Sequence, residues 1–305
     1  MRRIALLLAL LLSVAGSAAA ASFDSLISFG DSLSDTGSGP AVPPSYGGRF
    51  SNGIVWQEYL ANSLGLAPVA TRDYAIGGAT SGLTGLGGTS TGLLTQVNGF
   101  VGAPVSLGSS TLFTVWAGGN DAINSVLTGA DPIAGAAQAA TNIAFAVTQL
   151  AGTGAQYFLV PNLPNGGLFP ISASLGGNPA QANALTLFFN GQLDAALTPL
   201  SASLGITIYR LDTYSLFQGI AGNPAAYGLT NVTQGCKQGS GAAATVCANP
   251  SEYLWWDNVH PTTGIHARIG GAALTAVPEP WLVVLVVVAA LAVSPTRGQR
   301  GRSPS

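Results

Sequence analysis

Charged and titratable side chains are scarce in this sequence. Of its 305 residues, ten are Lys or Arg, twelve are Asp or Glu and two are His, and charged residues make up 7% of the chain. The stretch from residue 22 to residue 276 holds five basic and eleven acidic side chains. Because this stretch has no surplus of positive charge to neutralise phosphates, the composition argues against nucleic acid as a partner.

Cysteine is also rare, since the chain contains only Cys236 and Cys247, in a stretch rich in Gly, Ala and Ser. Two cysteines at this spacing do not make a zinc site, which needs four ligands. In an oxidising compartment we expect them to form a disulfide that closes the intervening loop.

The first 21 residues predict export. They comprise a Met-Arg-Arg head, an apolar run from Ile4 to Leu12 and small residues ending at Ala19-Ala20-Ala21. This is the layout of a secretory signal peptide, so we exclude residues 1–21 from the fold.

The last 29 residues, 277–305, form a second candidate targeting signal. Pro278-Glu279-Pro280 precedes an uncharged apolar run from Trp281 to Val293, and three arginines follow. The run is shorter than the roughly 17 to 25 residues that span a bilayer comfortably. Its terminal position and its arginines nevertheless favour a short membrane segment over a buried helix.

The C-terminal pattern resembles the PEP-CTERM sorting signal of Gram-negative bacteria. The resemblance implies a membrane peptidase that removes the tail, a transient membrane association, and a final location in the cell envelope or outside the cell. A retained C-terminal anchor is the alternative.

Residues 22–276 predict a single α/β domain, a length that suits one full core. Short runs rich in β-branched and aromatic residues alternate with helical patterns, which indicates a parallel sheet covered on both faces. The strand candidates begin at Ser25, Arg72, Thr111, Ala155 and Gly205, and the helix candidates are Val55 to Leu64, Ile133 to Leu150, Pro179 to Leu204 and Thr262 to Leu274.

Two serines are candidate nucleophiles. Ser32 follows the first predicted strand in "ISFGDSLSDTG". Ser90 lies in "GTSTG", which matches the G-x-S-x-G pattern of a nucleophile elbow. That motif requires a hydrophobic strand before it, whereas Ser90 lies in a Gly/Thr/Ser tract from Gly77 to Gly92 that reads as a loop. We therefore expect no catalytic role for Ser90.

A serine nucleophile needs a base, and this chain offers two histidines. His266 lies within a predicted helix, where a structural or surface role is expected. His260 follows Asp257 by three residues in "DNVHP", on a predicted loop. Such a loop can fold back so that the carboxylate holds one imidazole nitrogen and leaves the other free as a base.

Ester hydrolysis also needs hydrogen-bond donors for the oxyanion of the tetrahedral intermediate. Asn120 follows the third predicted strand, and the "AIGGATS" segment that follows the second offers the backbone amide of Gly77 or Gly78. Ser32 follows the first strand. Since the carboxyl ends of parallel strands share one edge of the sheet, these groups are expected to converge there.

The nearby aspartates have structural interpretations. We expect the side chain of Asp31 to point away from that of Ser32. Asp35 is expected to cap a turn, and Asp121 is expected to cap the helix that follows Asn120.

Four sequence blocks, taken in order, resemble the GDSL or SGNH hydrolases: "FGDSLSDTG", "YAIGGATS", "GGND" and "DNVHP". The resemblance implies a three-layer α/β/α sandwich, flavodoxin-like, with about five parallel strands. It implies Ser32 as nucleophile, His260 as general base and Asp257 as the group that orients it. The oxyanion donors would be the Ser32 amide, the Gly78 amide and the Asn120 side chain.

The activity implied by this resemblance is that of an exported carboxylic ester hydrolase, an esterase or lipase, that needs no metal or organic cofactor. A deacetylase of exopolysaccharide and a phospholipase or acyltransferase are the alternatives, and a non-catalytic matrix protein is a rival of another class. We expect preference for acyl-chain length to depend on loops such as Gly82 to Phe100.

Overall fold

Five parallel strands form the centre of the protein. The structure is a computed structural model that describes residues 23–37, 46–103, 105–108, 110–174, 178–239 and 243–277, all within one compact unit, Phe23–Val277. The strands are β1 (Ser25–Gly30), β2 (Thr71–Asp73), β3 (Thr111–Trp116), β4 (Tyr157–Pro161) and β5 (Thr207–Leu211). They lie in the order β2-β1-β3-β4-β5, which confirms the predicted parallel sheet.

Helices connect these strands. The four predicted helices are present, and additional short ones follow the strands at positions where the sequence pattern predicted none. In chain order they are α1 (Trp56–Ser63), α2 (Leu93–Gly102), α3 (Gly119–Thr128), α4 (Pro132–Ala151), α5 (Pro170–Ser174), α6 (Pro179–Leu204), α7 (Thr213–Gly222) and α8 (Thr263–Ala276).

Both faces of the sheet are covered, as β3 shows most clearly. All six of its residues are buried although successive side chains point to opposite faces. On one face Phe113 packs edge-on against Phe100 of α2, with ring centroids 5.7 Å apart. On the other face Trp116 packs against Trp56 of α1 at 5.5 Å. The sheet is therefore the middle layer of an α/β/α sandwich, as predicted.

The second strand, predicted to begin at Arg72, covers only Thr71–Asp73. It ends at Asp73, although the amides of Tyr74 and Ile76 continue to donate to the carbonyl oxygens of Ser28 (2.8 Å) and Gly30 (3.1 Å). The chain therefore follows β1 to its end before turning away. This brings the glycines of "AIGGATS" beside the turn that follows β1.

A separate group of short strands lies near the C-terminus of the unit. β6 (Asn231–Gly235) pairs with β9 (Tyr253–Trp255), and β7 (Lys237–Gln238) pairs antiparallel with β8 (Thr245–Val246). The predicted disulfide joins Cys236 to Cys247 across this group. The sequence pattern predicted the disulfide but none of these four strands.

The two predicted targeting signals are not tested by this fold. Residues 1–21 and the segment from Pro278 onward lie outside the described residues. Within the described ranges, none of the helices combines the length and apolarity needed to cross a membrane.

Candidate active site

Ser32 lies in a tight turn directly after β1. The amides of Ser34 and Asp35 both donate to the carbonyl oxygen of Asp31 at 3.0 Å, so the chain coils as soon as the strand ends. Ser32 itself is 7% exposed. The turn therefore holds the hydroxyl at the carboxyl edge of the sheet, largely shielded from water.

The start of this turn is fixed by a glycine and a glutamine. Gly30 has φ of +149°, and a Cβ at this position would lie 2.1 Å from the carbonyl oxygen of Trp116 on β3. A side chain is therefore excluded here. The buried amide of Gln96 binds the Gly30 backbone on both sides, accepting from its N–H at 2.9 Å and donating to its carbonyl oxygen at 2.8 Å.

The structure brings the predicted nucleophile, base and orienting acid together. The Oγ atom of Ser32 lies 2.8 Å from Nε2 of His260, 228 positions later in the chain. On the other side of the imidazole, Nδ1 lies 2.9 Å from both carboxylate oxygens of Asp257. Because a carboxylate only accepts, Nδ1 carries the proton and Nε2 is left to accept the proton of the serine.

The surroundings of Asp257 stabilise its ionised form. Burial alone would raise the pKa of this carboxyl, but the adjacent His260 and the amides of Val259 and His260 outweigh it and lower the pKa to about 2. Those amides donate to Oδ1 at 2.9 and 2.8 Å. The loop thus folds back on its own aspartate, as the Asp-x-x-His spacing predicted.

The His260 ring also has an aromatic neighbour that the sequence reasoning did not select. The ring of Phe50 lies 5.1 Å from the imidazole, centroid to centroid. Phe50 belongs to the "GRFSNG" segment between β1 and α1. No role was predicted for this segment from the sequence, and no spacing in the sequence indicated that Phe50 would contact His260.

The two glycines offered as oxyanion donors differ in their hydrogen bonding. The N–H of Gly77 donates to Oδ2 of Asp35 at 2.8 Å, whereas within the described residues the N–H of Gly78 has no protein acceptor. Gly78 has φ of +78°, a left-handed conformation suited to glycine. The geometry therefore supports Gly78 over Gly77 as the donor.

Asn120 lies at the start of α3, directly after β3. Its side chain is 6% exposed and its Nδ2 donates to the carbonyl oxygen of Ala79 at 2.9 Å. An amide nitrogen carries two hydrogens, so this bond orients the group and leaves a second donor. Asn120 and Ser32 line the same cavity.

Two other aspartates near the site have structural contacts. Asp31 is buried and accepts from the Leu33 amide at 3.0 Å, although it also lines the cavity. Burial raises the pKa of Asp31 to about 7. The predicted capping role of Asp121 is replaced by another contact, because its carboxylate accepts from the amide and hydroxyl of Ser81 at 2.8 and 2.7 Å, while Gly118 occupies the N-cap position of α3.

The second histidine and the second candidate serine have different surroundings. His266 is buried in α8, its Nδ1 accepts from the Trp56 amide at 3.3 Å, and burial lowers its pKa to about 3. Ser90 lies in an exposed loop. Within the described residues, no three His, Cys, Asp or Glu side chains are grouped so that they could hold a metal ion.

A cavity of about 610 Å³ extends from Ser32 and Asn120. None of its lining residues comes from 82–100, all of which are described. The dependence of acyl-chain preference on that segment stays a prediction. The wall is formed by α3, by the start of α4, by the segment that follows β4, and by α6. The sequence pattern had not predicted the short helix α3. Apolar lining side chains include Ile123, Ile133, Leu163 and Leu185.

Residues 26–272 match the model of a protein family described as GDSL-like lipase/acylhydrolase. The chain belongs to this family. The match confirms the membership predicted from the four sequence blocks. The C-terminal sorting signal stays a prediction.

Several known relatives are similar over most of the chain. Thermolabile hemolysin of Vibrio parahaemolyticus is 28% identical over 80% of this chain, and GDSL esterase/lipase At1g71691 of Arabidopsis thaliana is 28% identical over 79% of both chains. The chain spans only 61% of the hemolysin and 39% of a second Arabidopsis relative, GDSL esterase/lipase At5g45950. A solved structure from Veillonella parvula, described as a member of the lipolytic G-D-S-L family, aligns with a TM-score of 0.47 at 16% identity, covering 83% of this chain and 97% of that one.

Proposed function

We propose that this chain is an exported serine hydrolase that cleaves carboxylic esters through an acyl-Ser32 intermediate. The observation that carries the proposal is the continuous hydrogen-bonded series from Ser32 Oγ to His260 to Asp257, with distances of 2.8 and 2.9 Å. A hydroxyl with a base in contact and an ionised acid behind that base is the arrangement that activates serine as a nucleophile.

In the first half of the reaction, Nε2 of His260 takes the proton of Ser32 as Oγ attacks the ester carbonyl. The carbonyl oxygen becomes an oxyanion, which the amides of Ser32 and Gly78 and the side chain of Asn120 stabilise. Asp257 stabilises the imidazolium formed in this step. When the intermediate collapses, the ester C–O bond breaks, His260 gives its proton to the departing alcohol, and an acyl-serine remains.

In the second half, a water molecule replaces the alcohol. His260 removes a proton from this water as its oxygen attacks the acyl carbonyl, and the same donors stabilise the second oxyanion. Collapse breaks the bond to Ser32, whose Oγ recovers the proton from His260, and the carboxylic acid leaves. All of these steps are within the chemistry of side chains and backbone amides, so the proposal requires no metal or organic cofactor.

The cavity beside Ser32 supports an ester with an extended apolar acyl group. It is lined mainly by apolar side chains, and its volume lies in the range of sites that hold whole small-molecule ligands. An acetyl group alone would leave most of this surface unoccupied. Among the alternatives, the cavity therefore favours an esterase or lipase over a deacetylase of exopolysaccharide.

The test is the hydrolysis of chromogenic esters by the purified protein and by Ser32→Ala. Acyl chains of two to twelve carbons, a phospholipid and an acetylated polysaccharide form the panel. We expect rates that require Ser32 and rise with chain length, by up to about fourfold for each methylene that becomes buried. Equal background rates from both proteins would contradict the proposal and favour the non-catalytic matrix protein.

The cellular setting is a separate part of the proposal. Its support is the predicted signal peptide over residues 1–21 and the predicted sorting signal over residues 277–305. A sorting peptidase, transient membrane association and a final place in the envelope of a Gram-negative cell or outside it follow from these signals. Mass spectrometry of the mature protein tests them, because both segments should be missing.

A further inference from the structure

The turn that carries Ser32 and the loop that carries Gly78 are joined by two aspartates arranged reciprocally. Asp35 belongs to the turn and Asp73 to the start of the loop. Each binds an amide two residues later in its own segment through Oδ1, and each reaches across to the other segment through Oδ2. We name Asp35 and Asp73 the aspartate clasp.

The first half of the clasp reaches from the turn to the loop. Oδ1 of Asp35 accepts from the Gly37 amide at 2.8 Å, and Oδ2 accepts from the Gly77 amide at 2.8 Å, 42 residues away in sequence. Asp35 is 0% exposed. A carboxylate that has lost its water depends on such charge-assisted bonds, which are about twice as strong as bonds between neutral groups.

The second half reaches in the opposite direction. Oδ1 of Asp73 accepts from the Ala75 amide at 2.9 Å, and Oδ2 accepts from the amide and hydroxyl of Thr36 at 2.7 and 2.8 Å. Asp73 thus also joins the two segments. It contacts neither Gly77 nor Gly78 in these bonds.

This difference gives Asp35 a role that Asp73 does not share. Since Asp35 accepts from the N–H of Gly77, it holds the Ile76–Gly77 peptide unit in place. The N–H of Gly78 belongs to the next peptide unit and has no protein acceptor among the described residues. An oxyanion donor contributes only if it is already in place when the charge develops.

We propose that Asp35 is a positioning residue that sets the direction of the Gly78 amide and so preorganises the oxyanion site. The inference rests on the proposed ester hydrolysis. Asp73 fastens the same two segments without controlling that amide. The clasp therefore separates two tasks, since one aspartate orients the donor and the other only stabilises the contact between the turn and the loop.

The test compares Asp35→Asn with its matched control Asp73→Asn in the full chain. Asparagine keeps the size of the side chain but replaces one acceptor oxygen with a donor, so one of the amides loses its partner. For Asp35→Asn we expect kcat to fall about 10- to 100-fold with KM within about twofold, less than the 10²- to 10³-fold typical when a donor is removed outright. For Asp73→Asn we expect kcat within about threefold of the unaltered protein, whatever stability is lost.

Two further measurements separate positioning from stability. The dissociation constant of an alkylboronic acid, which forms a tetrahedral adduct on Ser32, should rise in Asp35→Asn by about the factor by which kcat falls. Hydrogen exchange at the Gly77 amide should become faster in Asp35→Asn and stay slow in Asp73→Asn. The exchange experiment does not depend on catalysis, so it distinguishes failure of this inference from failure of the proposed function.

The inference is overturned if both variants lose kcat in proportion to their loss of unfolding free energy, or if Asp35→Asn keeps its kcat and its boronate affinity. If Asp35→Asn does not fold, Asp35→Ser replaces it. Its hydroxyl offers a smaller acceptor that cannot reach both amides at once, and the same three measurements then decide.

Discussion

The two sides of the candidate site are built differently. The nucleophile half, which comprises Ser32, Gly78 and Asn120, lies at the ends of three neighbouring strands of the central sheet. The base half, which comprises Asp257 and His260, lies on a loop after β9, outside that sheet. The first half follows strands of the central sheet, whereas the second follows a short strand that pairs with β6 next to the Cys236–Cys247 disulfide.

The carboxyl groups around the two halves also differ, in the direction in which their pKa values are shifted. Next to the nucleophile half, burial raises the pKa of Asp31 to about 7 and that of Asp73 to about 6. In the base half, burial acts in the same direction, but His260 and two amides lower the pKa of Asp257 to about 2. Burial therefore disfavours the ionised forms of Asp31 and Asp73, whereas its neighbours stabilise Asp257 as an anion.

Removing the base gives the largest expected effect. For His260→Ala we expect kcat/KM to fall by about 10⁴-fold or more, because Ser32 loses the base that lies within hydrogen-bond distance of its Oγ. The double variant with Ser32→Ala should lose no more than either single variant, since the residues act as a unit. Losses that multiply in the double variant would show that the two halves work independently.

Removing a donor from the nucleophile half gives a smaller effect. For Asn120→Ala we expect kcat to fall about 10²- to 10³-fold with little change in KM. The matched control is Asn124→Ala, one turn further along α3, which should leave kcat unchanged. Steady-state kinetics on one chromogenic ester checks both variants, and equal losses would indicate that α3 itself has been disturbed.

The disulfide distinguishes the supports of the two halves. Replacing Cys236 and Cys247 with serine should lower the unfolding free energy by about 3 kcal/mol, the loop-entropy contribution expected for a short loop. Because the Cys236 amide donates to the Trp255 carbonyl at 3.0 Å, hydrogen exchange should increase first at residues 253–260. Equal increases in residues 23–35 would mean that the base half has no separate support.

Two carboxyl groups, those of Asp31 and Asp257, are expected to make the free energy of unfolding depend on pH. The pKa of Asp31 lies above its unfolded value of about 4, so its contribution lowers the unfolding free energy as pH rises from about 4 to about 7. Asp31→Asn, which can still accept from Leu33, should remove this decline. Urea unfolding across pH 4 to 8 checks it, and an unchanged slope would contradict the assigned burial effect.

The base half should show the opposite dependence. The pKa of Asp257 lies below its unfolded value, so the stability it contributes is complete above about pH 4 and is lost as pH falls toward 2. Asp257→Asn should therefore remove a decline in the free energy of unfolding below about pH 4, whereas Asp31→Asn removes a decline above it. The same unfolding series, extended to pH 2, compares the two halves directly.

Sequence reasoning recovered the parts of this molecule that local patterns encode. The β-branched runs predicted the five strands of the central sheet, and the ordered blocks assigned Ser32, Asn120 and His260 to one site. The helices α2, α3 and α7, of ten residues each, were not predicted. Because α3 lines the cavity beside Ser32, its contribution to the cavity wall was not predicted either.

Two contacts between segments far apart in the chain could not be predicted from the sequence. The choice of Gly78 over Gly77 follows from a bond between Asp35 and Gly77, which are 42 residues apart. Likewise, Gln96 supports Gly30 from a helix that the pattern did not predict. Such contacts depend on how the sheet packs against its loops, so no local spacing in the sequence predicts them.

If the two halves meet as described, Ser32 is the serine of this chain that reacts as a nucleophile. Labelling with an alkyl fluorophosphonate, followed by peptide mapping, would show this. We expect one label per chain, on Ser32, with labelling slowed by about 10³-fold or more in His260→Ala. A label on Ser90, or no label on the folded protein, would contradict it.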